Sequence, residues 1–134
     1  MSEPLYAVPS FLEGIGQERY NRWLHRKAAN LCRRDKQRGY KNISTAKYKK
    51  EIHVAVDRSK GRDEYTGEEL NWNAISTYKD KKIHDLPSVD HCHELDEGRF
   101  KICSWKINDM KNDMSEKEFV EACKKVLKHL DKKA

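Results

Sequence analysis

The sequence predicts an α+β fold in which a short antiparallel β-hairpin and the helix after it form the core, with further helices on both sides. Segments near each end place apolar residues at spacings of three and four, which is typical of one face of a helix. Between them, two extended segments flank the turn-forming sequence Asp96-Glu97-Gly98, which predicts the hairpin.

Two helices are expected before the hairpin. The first runs from about Gln17 to Gln37, where Gly39 is suited to end it. Its apolar face consists of Tyr20, Trp23, Leu24, Ala28 and Leu31. The second begins after Ser44 or Thr45 and ends before Gly61. Its inward positions are Tyr48, Ile52, Ala55 and Val56.

The hairpin comprises an extended run from Ile83 to His93 and a second strand from Arg99 to Ser104. Helical character resumes around Trp105. A capping box, Ser115 followed three residues later by Glu118, predicts the start of the last helix. Its apolar stripe consists of Phe119, Ala122, Cys123, Val126, Leu127 and Leu130.

The 134 residues suit a single domain, with a basic helical part at 17–60 and the hairpin, its helix and the last helix at 61–134. Hydrophobic and charged residues each make up 37% of the chain, which predicts a thin core and a highly charged surface. The sequence has neither an apolar run long enough for a membrane span nor a signal-peptide pattern, so we expect a soluble, cytoplasmic protein. Scattered cysteines at 32, 92, 103 and 123 are then expected to be buried thiols rather than disulfides.

The positive charge is concentrated in one segment. Between Glu18 and Lys41 nine basic residues face only two acidic ones, a surplus of seven that exceeds the net charge of +6 of the whole chain. Such a stripe is typical of nucleic-acid binding, although a charged, solvated helix face is the usual alternative. The candidates for contacts with a DNA backbone are Arg22, Arg26, Arg33, Arg34 and Arg38.

The residues suited to chemistry lie between Ser88 and Asp113. Asp90 and Asn108 offer the oxygen ligands that a hard divalent cation prefers, and His91 offers a base of near-neutral pKa. Arg99, Lys106 and Lys111 are candidates for holding phosphate oxygens. One divalent cation and one base are sufficient to hydrolyse a phosphodiester.

The pattern V-D-H-C-H at 89–93, then Gly98-Arg99, then N-x-x-K at 108–111 resembles the core of HNH (ββα-metal) endonucleases. It is most similar to the phage recombination endonuclease VII type, over about a quarter of the chain. The resemblance implies that Asp90 and Asn108 hold Mg²⁺ or Mn²⁺ and that His91 deprotonates the attacking water. It also implies that His93 contacts the phosphate or the leaving group and that Arg99 lies beside the DNA backbone.

Three features depart from that pattern or strain it. The C-x-x-C knuckles are missing, so we expect no structural zinc and instead packing of Tyr65, Trp105 and Ile107. Lys111 stands where the endonuclease VII type has an acidic residue. Many other HNH nucleases have a lysine at this position. Successive residues of a strand point to opposite faces, so joint action of Asp90 and His91 predicts that the strand ends or bulges there.

Other interpretations stay open. His91, Cys92, His93 and Cys103 have residue types that could bind zinc, although no C-x-x-C pair anchors them. The chain could also be a non-catalytic DNA-binding module with this fold. One active site cuts one strand, so double-strand cleavage would require a homodimer or two successive nicks. The remaining histidines (25, 53, 84 and 129) are expected to be ordinary surface or partly buried residues, and the tryptophans (23, 72 and 105) core residues.

Overall fold

A computed structural model describes residues 5–12, 14–75, 84–91 and 100–132. Within these ranges the elements are α1 (Gln17–Gln37), α2 (Thr45–Ser59), a 3₁₀ turn (Trp72–Ala74), β1 (Pro87–His91), β2 (Phe100–Ser104), α3 (Trp105–Lys111) and α4 (Glu116–Asp131). The mixture of helices with a two-stranded antiparallel sheet confirms the α+β class. None of the described helices is both long and apolar enough to cross a bilayer.

The first two helices pack against each other and against the hairpin. On α1 the predicted stripe is buried except for Leu31, which is partly buried. Trp23 meets the 3₁₀ turn edge-to-face on Trp72, with ring centroids 5.0 Å apart. On α2 the ring of Tyr48 meets Phe100 of β2 in the same way at 5.1 Å. A single cluster of buried apolar residues therefore extends from Leu12 to Ile102, across both predicted parts of the chain.

The helix ends follow the sequence signals closely. Gly39 has a φ of +94°, a left-handed conformation that glycine adopts without steric cost, and it directly follows the last cap residue of α1. Ser44 caps α2 by accepting a hydrogen bond from the backbone N–H of Lys47. The beginnings and ends predicted for these two helices are confirmed.

The hairpin is a regular ladder that pairs Asp90 with Lys101 and His91 with Phe100. Of the two expected alternatives, the bulge is absent, and β1 has its last described residue at His91, directly after Asp90. No bulge is needed because Asp90 faces α3 while His91 faces α1, and the candidate site lies across both sides of the strand. β1 begins later than predicted, at Pro87, since His84 and Asp85 form a turn; residues 83, 92 and 93 lie outside the described ranges, so the predicted end of the strand at 93 is not tested.

Asp63 fixes the turn at residues 63–67 to the junction of β2 and α3. Its carboxylate is 2% exposed and accepts hydrogen bonds from the backbone N–H groups of Tyr65, Thr66 and Ser104. Ser104 in turn caps α3 by accepting from the N–H of Ile107. This is the region in which we expected Tyr65, Trp105 and Ile107 to pack.

The last helix differs from the first two. The capping box of Ser115 and Glu118 is present as predicted, and Phe119 is buried. Beyond Ala122, however, every described residue of the helix is exposed, Cys123 included. The expectation of a buried thiol is therefore confirmed for Cys32 and Cys103, wrong for Cys123, and untested for Cys92, which lies outside the described ranges.

Candidate active-site cleft

A cleft of about 420 Å³ opens between α1, β1 and α3. It is the place where the basic helix meets the D-H motif of β1 and the start of the following helix. The residues that line it, grouped by element, are Lys27, Asn30, Leu31, Arg34, Asp35 and Arg38 from α1 and its cap, Ser88, Val89, Asp90 and His91 from β1, and Trp105, Asn108, Asp109, Lys111, Asn112, Asp113 and Met114 from α3 and the loop after it.

Asp90 is a buried carboxylate with two strong partners. The hydroxyl of Tyr65 donates to its Oδ2 at 2.5 Å, and the ammonium of Lys111 lies 3.1 Å from the same oxygen. Asp90 and Lys111 are each 3% exposed, so their attraction is weakly screened by solvent. The Lys111 ammonium also donates to the carbonyl of Met114, which fixes it at the end of α3.

His91 is held from the opposite side of the strand. Its Nε2 lies 2.9 Å from Oδ2 of Asp35, a residue of α1 that is 1% exposed. A carboxylate only accepts hydrogen bonds, so the pair requires a proton on Nε2. The hydroxyl of Tyr48 donates to the same Asp35 oxygen at 2.5 Å, and burial followed by this bond raises the pKa of Tyr48, which keeps the hydroxyl protonated. The Nδ1 of His91 is itself buried.

Asn108 reaches the cleft from the first turns of α3. Its amide nitrogen donates to the hydroxyl of Ser88 at 3.0 Å and lies 3.5 Å from the carbonyl oxygen of Val89. These contacts tie α3 to the strand that carries Asp90 and leave the amide oxygen as the group that could bind a cation. Among the described residues there is no group of three or more His, Cys, Asp or Glu side chains suited to a metal ion.

The α1 wall of the cleft is basic. Arg34 and Arg38, one turn apart, line it as two of the five arginines that we expected to contact DNA. Lys27, two turns before Arg34, lies on the same wall, and its pKa is lowered first by burial and then by the neighbouring Arg26 and Arg34. An anion bound in the cleft would raise the pKa of Lys27 again, because a nearby negative charge favours the charged ammonium.

The other predicted site residues are placed less favourably or not at all. Of the remaining basic candidates, Lys111 lines the cleft as an ion-pair partner, whereas Arg22, Arg26, Arg33 and Lys106 are not among the lining residues. His93 and Arg99 lie outside the described residues, as does Cys92 of the alternative zinc site.

Sequence reasoning missed Asp35, Tyr48, Tyr65 and Lys27. One signal was present for two of them, because Lys27, Leu31, Arg34, Asp35 and Arg38 recur at helical spacing on one face of α1. Asp35 is the acidic residue in this basic stripe, and this made it a candidate for a specific hydrogen-bond or ion-pair partner. Neither tyrosine had a sequence signal, because each acts through a residue distant along the chain.

Comparisons of the chain with protein-family models, with curated proteins and with solved structures find no match in any of the three. The functional argument therefore rests on the residues of the cleft.

Proposed function

We propose that the chain is a metal-dependent endonuclease of the HNH kind that hydrolyses phosphodiester bonds in DNA. The observation that carries the proposal is the convergence of Asp90, His91 and Asn108 on one cleft whose opposite wall is basic. A carboxylate, an imidazole and an amide could meet by chance. Their meeting beside Arg34 and Arg38 supplies both the reacting groups and a surface for a polyanion.

The fixed position of His91 supports its role as the base. The carboxylate of Asp35 requires a proton on Nε2, so Nδ1 is the atom that would accept a proton from water. Asp35 would also stabilise the imidazolium that forms when it does. Because Tyr48 holds Asp35 from the other side, the imidazole has little freedom to turn. Arg34 and Arg38 would orient the DNA backbone along the cleft.

The donor set fits a hard divalent cation such as Mg²⁺ or Mn²⁺. Asp90 and Asn108 provide a carboxylate and an amide oxygen from adjacent elements, and Mg²⁺ is commonly held by one or two such ligands with water and substrate phosphate completing its shell. When bound, the cation would polarise the scissile phosphate and stabilise the leaving oxygen. Lys111 competes for the same Asp90 oxygen, so binding of the cation has to displace or weaken that ion pair.

A non-catalytic DNA-binding module is the second candidate, and two contacts favour it. The Lys111 ammonium already neutralises Asp90, as a permanent substitute for a cation would do. The buried Nδ1 of His91 is reached by water only if a neighbouring group moves aside. In this alternative the basic wall of α1 binds DNA and the cleft performs no reaction.

Plasmid nicking separates the two candidates. With Mg²⁺ or Mn²⁺ we expect supercoiled DNA to be nicked, EDTA to stop the reaction, and His91→Ala to lower the rate roughly 10²- to 10⁴-fold, the range of a general base. His129→Ala, a histidine on the exposed part of α4, is the matched control and should cleave normally. Retained DNA binding without metal-dependent cleavage, and with no effect of His91→Ala, would reject the enzyme.

A stability measurement tests the metal site without relying on activity. Lys111→Gln leaves the buried Asp90 carboxylate without its cation, and removal of one member of such a pair typically costs about 3–5 kcal/mol. If Asp90 is a ligand, Mn²⁺ should raise the melting temperature of Lys111→Gln by more than that of the wild type. Lys106→Gln on the same helix is the control, and an equal response of all three proteins would argue against the site.

A further inference from the structure

Lys27 is a cation of the cleft for which the described part of the chain provides no counterion. It lines the cleft from α1 and is partly buried. Lys111 on the opposite wall is, by contrast, paired with Asp90. The neighbours that act most strongly on Lys27 are the cations Arg26 and Arg34. A partly buried ammonium beside like charges costs stability unless an anion compensates it.

A solvated surface lysine is the ordinary alternative for such a residue. A lysine that merely lays its aliphatic stem along a helix keeps its ammonium in water. Burial is the largest cause of the lowered pKa of Lys27, so its ammonium is itself partly removed from water. Lys27 therefore holds a positive charge where the protein without a ligand does not favour one.

The outer edge of β1 offers a second donor to the same cleft. On β2, the backbone N–H and C=O of Ile102 face away from β1, because both are bonded to Glu64. Val89 is the partner of Ile102 in the ladder, so its own N–H and C=O face away from β2. The amide nitrogen of Asn108 lies 3.5 Å from that carbonyl oxygen. The N–H of Val89 therefore points to the side on which α3 and the cleft lie.

The acidic residues of the cleft do not compensate Lys27. Asp35 and Asp90 are buried, and each is already paired with another side chain, a histidine and a lysine respectively. Asp109 and Asp113 line the cleft as well, and among the described ion pairs neither is joined to Lys27. An ammonium and a backbone N–H on facing walls of one cleft are donors for an oxyanion.

We propose that Lys27 and the backbone N–H of Val89 form a phosphate-binding subsite, in which the ammonium donates to a non-bridging oxygen of a DNA phosphate. The inference rests on the proposed function, which makes DNA the source of the phosphate. Asn108 contacts the same edge of β1, so the bound phosphate lies next to the proposed metal site. The compact ammonium of a lysine, with three donors, suits a phosphate oxygen.

Binding of DNA without cleavage tests the subsite. In EDTA, Lys27→Met should weaken binding of a short DNA duplex by about tenfold or more, because a hydrogen bond between charged groups is lost. Lys27→Arg keeps the cation and should bind the duplex more tightly than Lys27→Met. Lys49→Met is the matched control, since Lys49 is a partly buried lysine of α2 that does not line the cleft, and it should bind DNA almost as the wild type does.

The stability of the same variants separates a ligand site from a structural role. Lys27→Met removes a partly buried charge that has no described counterion, so the melting temperature without ligand should stay the same or rise. Inorganic phosphate, added at an ionic strength held constant with chloride, should raise the melting temperature of the wild type and of Lys49→Met by more than that of Lys27→Met. A loss of stability in Lys27→Met would instead show a structural role and overturn the proposal.

The results distinguish this inference from the proposed function. If the wild type cleaves DNA and Lys27→Met binds the duplex equally well, the subsite is overturned and the endonuclease stands. If the wild type does not bind DNA, but phosphate stabilises it and not Lys27→Met, the endonuclease is overturned and the subsite stands for another phosphate ligand. An equal response of the wild type and Lys27→Met to phosphate also overturns the subsite.

Discussion

The helices α1 and α4 carry similar amphipathic patterns, yet they have different roles in the structure. α1 buries its stripe against α2 and the 3₁₀ turn, and Tyr20, Trp23 and Leu24 are almost completely covered. α4 leaves an equally continuous stripe in water beyond its second turn. A periodic apolar pattern therefore predicts that a helix needs a covering surface, without saying whether the same chain provides it.

The contrast extends to the charged residues of each helix. On α1 a buried acid, Asp35, lies on the wall that also presents Arg34 and Arg38, so the polar residues of this helix become part of a site. On α4 the charges are divided between the two ends and no residue of the helix lines the cleft. We therefore assign α1 to the candidate active site, whereas α4 takes no part in the cleft.

The largest expected effect is the difference in stability between a substitution in the α1 stripe and one in the α4 stripe. Leu24→Ala on α1 should lower the free energy of unfolding by about 2–5 kcal/mol, because it leaves a cavity in the core. Leu127→Ala on α4 should change it by less than about 0.5 kcal/mol. Urea unfolding of both variants beside the wild type, at one low protein concentration, measures the difference. Similar losses for the two substitutions would contradict the exposure of the α4 stripe.

The next effect tests how α1 participates in the site. Asp35→Asn removes the charge that holds His91, and if His91 is the base we expect cleavage to slow by at least about tenfold and the pH profile of the rate to change. Tyr48→Phe removes the second hydrogen bond to Asp35 and keeps the carboxylate, so its effect should be smaller. A purely structural role would instead change stability in both variants and leave the pH profile in place.

The two basic surfaces can be compared by their dependence on salt. Arg34→Gln/Arg38→Gln on the α1 wall should weaken DNA binding and reduce the slope of log K against log salt by about 2, because roughly one counterion is released per phosphate contact. Lys125→Gln/Lys132→Gln on α4 removes the same charge from the chain. An equal change of slope in the two variants would show that net charge, rather than the cleft wall, binds the DNA.

The smallest effect concerns pH and the α1–α2 packing. Burial lowers the pKa of His53 on α2, whose Nδ1 lies 2.6 Å from the hydroxyl of Tyr20 on α1. The unfolded chain then binds a proton more readily than the folded one, so this histidine costs stability as the pH falls through its ordinary range near 6.5. His53→Gln should reduce the loss of stability between pH 7.5 and 5.5. His129→Gln on α4 should leave that loss unchanged.

Much of the fold was predictable from local pattern. The helices, their caps and the strand order of the hairpin depend on residues close together in the sequence, such as Ser44 with Lys47 or Ser115 with Glu118. The candidate site was predictable as far as Asp90, His91 and Asn108, because a motif of short spacing carries them. A strand end or a bulge was expected at Asp90 because the site was assumed to lie on one face of the strand, and the ladder has no bulge there.

The sequence by itself determined where apolar faces and charges occur, because helical and strand periodicity follow from backbone geometry alone. Only the tertiary structure decided what those faces meet. It brought Asp35 to His91 across 56 positions and Tyr65 to Asp90 across 25, and it left the stripe of α4 uncovered. Such contacts depend on how distant elements pack together, and local spacing contains no information about that packing.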